Sequence, residues 1–254
     1  MKQKKRLDEL VREQHPEFSR QQIQSWIIQG KVVVDDKIVT KPGTQYTDDV
    51  RLQINAETPK YVSRAGFKLE KALQAFAIDV TGLVVLDAGI STGGFTDCLL
   101  QSGASKVYGI DVGYGQVHEK IGNDSRVQLR EKTNLRSLES VGELVDLITL
   151  DLSFISVLKV MDAVKRLLKP EGALVVLIKP QFEAGKHEVS SGGIVKDEKI
   201  RKLVVDMVVE GINGQGFICK GVIDSPILGA KGNKEFLAYF KREGKESVLS
   251  NKEL

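Results

Sequence analysis

Leu83-Val84-Val85-Leu86-Asp87-Ala88-Gly89-Ile90-Ser91-Thr92-Gly93-Gly94-Phe95 decides how this 254-residue chain is read. An apolar run of strand length ends on an acid, passes through a glycine-rich turn that includes Ser91, and opens a helix. In an open α/β sheet, ligands bind beyond the carboxyl ends of such strands. Gly89 would let a ligand approach the backbone closely, and Gly93 and Gly94 would let the next helix pack tightly. The spacing is not the dinucleotide fingerprint G-x-G-x-x-G, and the Gly-Lys-Ser/Thr ending of a phosphate loop is missing.

Asp87 would repel a pyrophosphate, whereas the methionine ammonium of a sulfonium methyl donor would be attracted to it. A second acid, Asp111, ends the next apolar run, Val107-Tyr108-Gly109-Ile110. An acid there can accept hydrogen bonds from both ribose hydroxyls of a nucleoside, or simply start a turn. Two acids at successive strand ends with the glycine loop between them favour the sulfonium donor; a nicotinamide cofactor is the alternative. Further strands are expected over 127–129, 144–150, 173–179 and 217–223, with helices over 66–77, 94–102, 155–168 and 197–211. Alternating strands and helices imply an α/β, Rossmann-like, mostly parallel sheet of about seven strands. A strand over 235–240 would supply one antiparallel edge. Asp151 and Lys179 end the fourth and fifth strands of this series. A lysine closing an apolar run either points into a cleft or snorkels to solvent.

Residues 1–60 read as a separate small α+β unit, joined to a larger unit over 61–254 by a linker at about 56–64. Leu7, Leu10 and Val11 share one helical face. Ser19 caps a second helix with Ile23, Trp26 and Ile27 turned inward, and Gly30 stops it. Val32–Val34 and Ile38-Val39 flank Asp35-Asp36-Lys37 as a hairpin, Pro42-Gly43 marks a turn, and Val50, Leu52 and Ile54 alternate as a strand.

Composition restricts the function classes. With 37 basic and 34 acidic side chains the formal charge is only +3, which by itself names no nucleic-acid partner. The one local bias is Lys2, Lys4, Lys5 and Arg6. Cys98, Cys219 and the three histidines make no metal pattern, so no metal is expected. No run of ~18 apolar residues suggests a membrane span, and no apolar leader opens the sequence, so a cytoplasmic protein is expected.

Five stretches together resemble the TlyA family of ribosomal RNA (cytidine-2′-O)-methyltransferases, some long labelled haemolysins. They are Tyr61-Val62-Ser63-Arg64-Ala65-Gly66-Phe67-Lys68-Leu69, the Asp87–Phe95 loop, Asp151-Leu152-Ser153-Phe154-Ile155, Lys179-Pro180-Gln181-Phe182-Glu183 and Gly232-Asn233-Lys234-Glu235-Phe236. The resemblance covers residues 4–241 and implies an FtsJ-like methyltransferase domain using S-adenosyl-L-methionine. It carries a Lys-Asp-Lys-Glu tetrad onto Lys68, Asp151, Lys179 and Glu235. It assigns the cofactor to Asp87, Gly89, Asp111 and Asp151, with Ser91, Gly93, Thr133 and Asn134 around the same pocket. The first 60 residues resemble the S4-like RNA-binding domain, through Arg6-Leu7-Asp8 to Ser19-Arg20, Ile28–Val34 and Pro42-Gly43. Arg6, Arg20, Gln24 and Lys31, with Arg64 beyond them, are then the candidates for RNA contact.

The implied reaction moves a methyl group to the ribose 2′-hydroxyl of a cytidine in ribosomal RNA within a subunit, with no membrane involved. The short stretches before Arg6 and after the last strand resemble the shorter members of the family, restricted to the large-subunit 23S RNA. Lys179 is the candidate to accept the hydroxyl proton or to stabilise the developing alkoxide. A free lysine titrates near 10.4, so a neutral base at about 7.5 would require roughly 4 kcal/mol from its surroundings. Burial and Lys68 would push that way, and Asp151 and Glu235 would oppose it. The rival classes are a non-catalytic RNA-binding or assembly factor, a methyltransferase acting on protein or small molecules, and a membrane-lysing protein. The polar tetrad argues against the first, the N-terminal unit against the second, and the lack of a long apolar amphipathic segment against the third.

Overall fold

The computed structural model describes residues 4–56, 59–185 and 187–243. Glu57 and Thr58 of the expected linker, Lys2 of the basic start, and the stretch after residue 243 lie outside the described residues. The chain divides into two compact units, Met1–Lys60 and Tyr61–Leu254.

The first unit runs β1 (Lys4–Arg6), α1 (Leu7–Gln14), α2 (Arg20–Ile28), β2 (Val32–Val34), β3 (Lys37–Ile38), β4 (Gln45–Thr47) and β5 (Leu52–Ile54). Ser19 caps α2 by accepting from Gln22 N at 3.2 Å, as its position before the apolar repeat requires. Asp35 and Asp36 both take positive φ, 46° and 64°, the left-handed pair that closes a two-residue hairpin. β2 lies between β3 and β5, antiparallel to both. β1 and β4 form a two-stranded pair that the sequence pattern does not announce, each being three residues long with little apolar content. Leu7, Val11, Ile23, Trp26, Ile27, Val32 and Val34 make the core.

The second unit runs α3 (Ala65–Ala75), β6 (Val84–Ala88), α4 (Gly94–Gln101), β7 (Lys106–Ile110), α5 (Glu119–Gly122), β8 (Val127–Arg130), β9 (Val145–Leu150), α6 (Met161–Leu167), β10 (Leu168–Ile178), α7 (Pro180–Glu183), α8 (Glu198–Asn213), β11 (Phe217–Asp224) and β12 (Phe236–Arg242). One seven-stranded sheet is ordered β11-β12-β10-β9-β6-β7-β8. Strands β10, β9, β6, β7 and β8 are mutually parallel, and β12 is antiparallel to both its neighbours. The antiparallel strand is therefore not the edge, as the sequence suggested. Leu237, Ala238, Tyr239 and Phe240 are buried in succession, which suits a strand covered on both faces. β11 alternates along its length and takes the edge.

Both faces of the sheet are packed. Leu86, Ile148, Leu174 and Val176 meet Met161, Val164 and Leu167 of α6 and Val208 and Ile212 of α8. Val85, Val107, Leu147 and Val175 meet Leu69 and Leu73 of α3 and Phe95 and Leu99 of α4. The helix expected over 155–168 is shorter, because Ser156 accepts from Leu158 N and opens a single 3₁₀ turn over Val157–Val160. That leaves Leu152–Ile155 as an irregular segment at the rim.

Helices α3 and α4 approach closely at Gly94, where a Cβ would overlap Ser63 Oγ and stand 3.0 Å from both Ala65 Cβ and Gly66 N. Gly94→Ala should destabilise the second unit by about 1–3 kcal/mol through overpacking. Urea unfolding reads this directly, and a midpoint equal to wild type would show that the helices part without cost.

Candidate functional site

At the carboxyl ends of β6, β7 and β9 lies a cavity of about 460 Å³, within the size range of small-molecule sites. Its polar lining includes Ser91, Asp111, Thr133, Asn134, Asp151 and Ser153, and its apolar lining includes Ile110, Val112, Leu135, Leu152 and Ile155. Two carboxylates and no lysine or arginine line it. Such a cavity favours a ligand bearing positive charge and disfavours a pyrophosphate.

Backbone geometry fixes both acids. Asp111 accepts from Ser91 N at 2.8 Å and from Gly113 N at 2.7 Å, which ties the β6 turn to the end of β7. Thr133 N reaches Asp111 O at 2.8 Å, and Asn134 Oδ1 accepts from Arg136 N at 3.0 Å. Gly89, at φ 84°, is where a side chain would collide with the backbone carbonyl of Asp151. Asp151 N in turn donates to Ala88 O at 3.0 Å.

Two of the expected cofactor residues sit elsewhere. Asp87 does not line the cavity. It is fully buried, and its carboxylate accepts from Thr96 Oγ1 at 2.7 Å and Thr149 Oγ1 at 2.9 Å. Strand alternation explains the difference: Leu86 and Ala88 share one face of the sheet while Asp87 is turned to the α4 face. Gly93 also lies off the cavity. It caps α4 at φ 97° and packs on Ile121.

The four tetrad residues come from four segments. Lys68 on α3 donates to Glu235 Oε2 at 2.6 Å, with both side chains almost enclosed. Lys179 Nζ stands 2.6 Å from Asp151 Oδ1, a charge contact, and its directed hydrogen bond goes to Ser153 Oγ at 3.0 Å. Ile178 faces Phe236 across β10 and β12, so Lys179 and Glu235 follow as the next opposed positions. Asp151 thus belongs to the cavity lining and to the ion pair at once.

Residues that spacing did not distinguish complete the surroundings. Glu183 Oε1 accepts from Val157 N at 2.8 Å, fastening the α7 turn to the segment after Ile155. Burial pushes its carboxyl above the usual range. Phe154 is 90% exposed, at φ 64°, with its ring 4.9 Å from that of Phe182. The quoted motifs contained Ser153, Phe154 and Glu183, but only the folded chain shows Ser153 on Lys179, Phe154 on Phe182 and Glu183 on Val157.

In the first unit, Arg6, Arg20 and Gln24 converge on one carboxylate. Asp8, 1% exposed, accepts from Arg6 Nε at 2.9 Å and Nη2 at 3.0 Å and from Gln24 Nε2 at 2.7 Å, with Arg20 Nη2 at 3.6 Å. Burial alone would raise the Asp8 carboxyl, but the Arg6 and Gln24 bonds and the two arginine charges hold it below its ordinary value. Lys31 lies at the far end of α2 and does not join this cluster. Arg64, in the second unit, is exposed at the start of α3.

Residues 61–242 match the FtsJ-like methyltransferase model and residues 5–52 match the S4 domain model. The 16S/23S rRNA (cytidine-2′-O)-methyltransferase TlyA of Mycobacterium tuberculosis is 42% identical over 89% of this chain and 85% of its own. The chain belongs to the TlyA family. A second TlyA, the 23S rRNA (cytidine-2′-O)-methyltransferase of Campylobacter jejuni, is 36% identical over 76% of this chain and 75% of its own. A solved structure from Streptococcus thermophilus with a hemolysin name is 38% identical, with a TM-score of 0.72 over 96% of this chain and 90% of that one. No helix among the described residues is long and apolar enough to cross a membrane.

Two outcomes follow from these geometries. Burial raises the Asp87 carboxyl to about 6, against the lowering effect of the two threonine hydroxyls. Between about pH 4 and 6 the folded unit therefore keeps a proton that the unfolded chain releases. The stability this group contributes is complete below about pH 4 and is lost as pH rises through 6, by about 3 kcal/mol at most. Asp87→Asn should remove that component, so the stability difference between wild type and variant should shift in favour of wild type as pH falls from 7 to 4. A difference that stays level would show that folding leaves the Asp87 carboxyl unshifted. For Asp8→Asn, the half-exposed arginines reduce the loss by solvent screening, leaving about 1–2 kcal/mol. Urea unfolding of the first unit followed at Trp26, the single tryptophan, measures it, and an unchanged midpoint would exclude Asp8 as the anchor.

Proposed function

We propose that this TlyA-family chain transfers a methyl group from S-adenosyl-L-methionine to the ribose 2′-hydroxyl of a cytidine in ribosomal RNA, with 23S RNA in the large subunit as the target. The observation that carries the reading is an acid-lined cavity without cations, joined through Asp151 to the Lys179 ammonium. Residues 1–60 act as the RNA-binding domain and 61–254 as the methyltransferase domain. The 23S target is supported by the one feature common to the names of the two TlyA relatives, cytidine 2′-O-methylation of 23S rRNA.

The lining suits the cofactor. Asp111 would hold the ribose hydroxyls, Asp151 and the Gly89 turn the amino-acid end, and Ile110, Val112 and Leu135 the adenine. When bound, S-adenosyl-L-methionine supplies an electrophilic methyl carbon on a sulfonium leaving group. The chain supplies orientation and charge stabilisation. The Lys179 ammonium holds the ribose 2′-oxygen in line with the methyl carbon and stabilises the negative charge that builds on it as the oxygen–carbon bond forms, the hydroxyl proton leaving to solvent. Asp151 and Ser153 hold Nζ in place, and the Lys68–Glu235 pair keeps the neighbouring rim position charged but neutral overall. Phe154 offers an exposed ring face on which an unstacked base can lie. Arg6, Arg20, Gln24 and Lys31, with Arg64, contact the RNA backbone.

Lys179→Ala should leave S-adenosyl-L-methionine affinity unchanged by calorimetry and slow single-turnover methyl transfer by ~10²–10⁴-fold. The acceptors are large and small ribosomal subunits lacking the mark, assayed side by side, with labelled methyl located by digestion and mass spectrometry. Equal single-turnover rates would overturn the role of Lys179, and label on a base or on small-subunit RNA alone would overturn the target.

A further inference from the structure

A second cavity, of about 340 Å³, lies between α8 and the β11–β12 edge of the sheet, and the proposed reaction does not use it. Arg201 and Lys202 of α8 and Lys234 line it on one side, Val222 and Phe236 form an apolar floor, and Glu198 and Asp224 complete it. Lys234 and Phe236 flank Glu235 in sequence, so the groove is one residue from the tetrad and, by strand alternation, on the α8 face while Glu235 meets Lys68 on the α3 face. Its other elements reach the same rim: β11 ends there at Asp224 and α8 starts there at Glu198.

The electrostatics are those of an anion site. Among the described residues, no ion pair within 4.0 Å engages Arg201, Lys202 or Lys234. Arg201 Nη1 is fixed by the backbone carbonyls of Val195, at 3.0 Å, and Lys196, at 2.8 Å. Those bonds pre-orient the guanidinium without neutralising it. The first turn of α8 adds little, because Asp197 Oδ1 already caps it by accepting from Lys199 N at 2.8 Å. Three cations against two carboxylates leave one net positive charge, which matches a single phosphodiester and not a dianion. The floor suits the face of a base, and the two carboxylates can accept from amino or hydroxyl groups of a nucleoside.

We propose that this groove holds a nucleotide flanking the target in the substrate RNA, with Lys202 and Lys234 on its phosphate and Phe236 under its base. The proposal rests on the RNA-methylation reading and deepens it, because it places the approaching strand along the β12–β11 side of the tetrad. A nucleotide held there would fix the register in which the target ribose meets Lys179.

The test compares the full-length wild type with Lys202→Ala/Lys234→Ala. Lys241→Ala, at the opposite end of β12, controls for general loss of charge. Large-subunit RNA affinity is measured over a range of salt concentrations, beside KM and kcat for methyl transfer. The double variant should bind RNA about tenfold more weakly, and the slope of log affinity against log salt should flatten by ~0.7, the value for one phosphate contact on a single strand. KM for RNA should rise similarly, with kcat within about twofold and cofactor affinity unchanged. The control should match wild type. An affinity and slope equal to wild type overturn the groove, as does an equal change in the control. A wild type that binds the RNA but transfers no methyl overturns the proposed reaction, and the slope still judges the groove. A wild type that binds no RNA overturns both.

Discussion

A lysine ammonium taken out of water loses several kcal/mol of hydration, and only a close carboxylate with further acceptors compensates for it. Lys68 and Lys179 have side chains about a tenth exposed, and each has its own carboxylate at 2.6 Å. That requirement constrains much of the second unit. Glu235 has to reach the rim opposite Lys179, which demands that β12 run antiparallel beside β10. α3 has to bring Lys68 over the same point, which demands its close approach to α4 at Gly94. Removing one member would strand a buried charge, so the four positions stand or fall in pairs.

Charge is divided along this rim in a way the whole-chain balance conceals. The cavity beside Asp111 and Asp151 is acidic, the paired lysines and acids are neutral in sum, and the groove at Lys202 and Lys234 is basic. A net charge of +3 averages over all three. The first unit shows the same effect on a smaller scale. Asp8 cancels part of the charge of Arg6 and Arg20 but fixes where the remaining guanidinium hydrogens point, and polyanion recognition depends on such placement more than on total charge.

The sheet was legible because its strands are apolar on both faces and its turns carry glycine and acid at their carboxyl ends. Asp111, Asp151 and Lys179 were legible for the same reason: each ends an apolar run. Lys68 and Glu235 were not, since a lysine on a helix and a glutamate before a strand are ordinarily solvated, and only the resemblance singled them out. Asp87 shows the limit of reading by position. It ends a strand as Asp111 nearly does, yet strand alternation turns its carboxylate toward Thr96 and Thr149. The strand over 235–240 is antiparallel, as expected, but is not the edge: four consecutive buried residues, Leu237 to Phe240, demand a covered position.

Asp151 couples the two halves of the site through covalent continuity. Its N–H donates to Ala88, its carbonyl fills the space that a side chain at residue 89 would need, and its carboxylate holds Lys179. The Gly89 turn and the lysine are therefore tied to each other through a single residue. The rigidity has a chemical use. In-line transfer tolerates little misplacement, and on the proposed reading a residue shared by the acidic cavity and the Lys179 ion pair sets the separation of donor and acceptor.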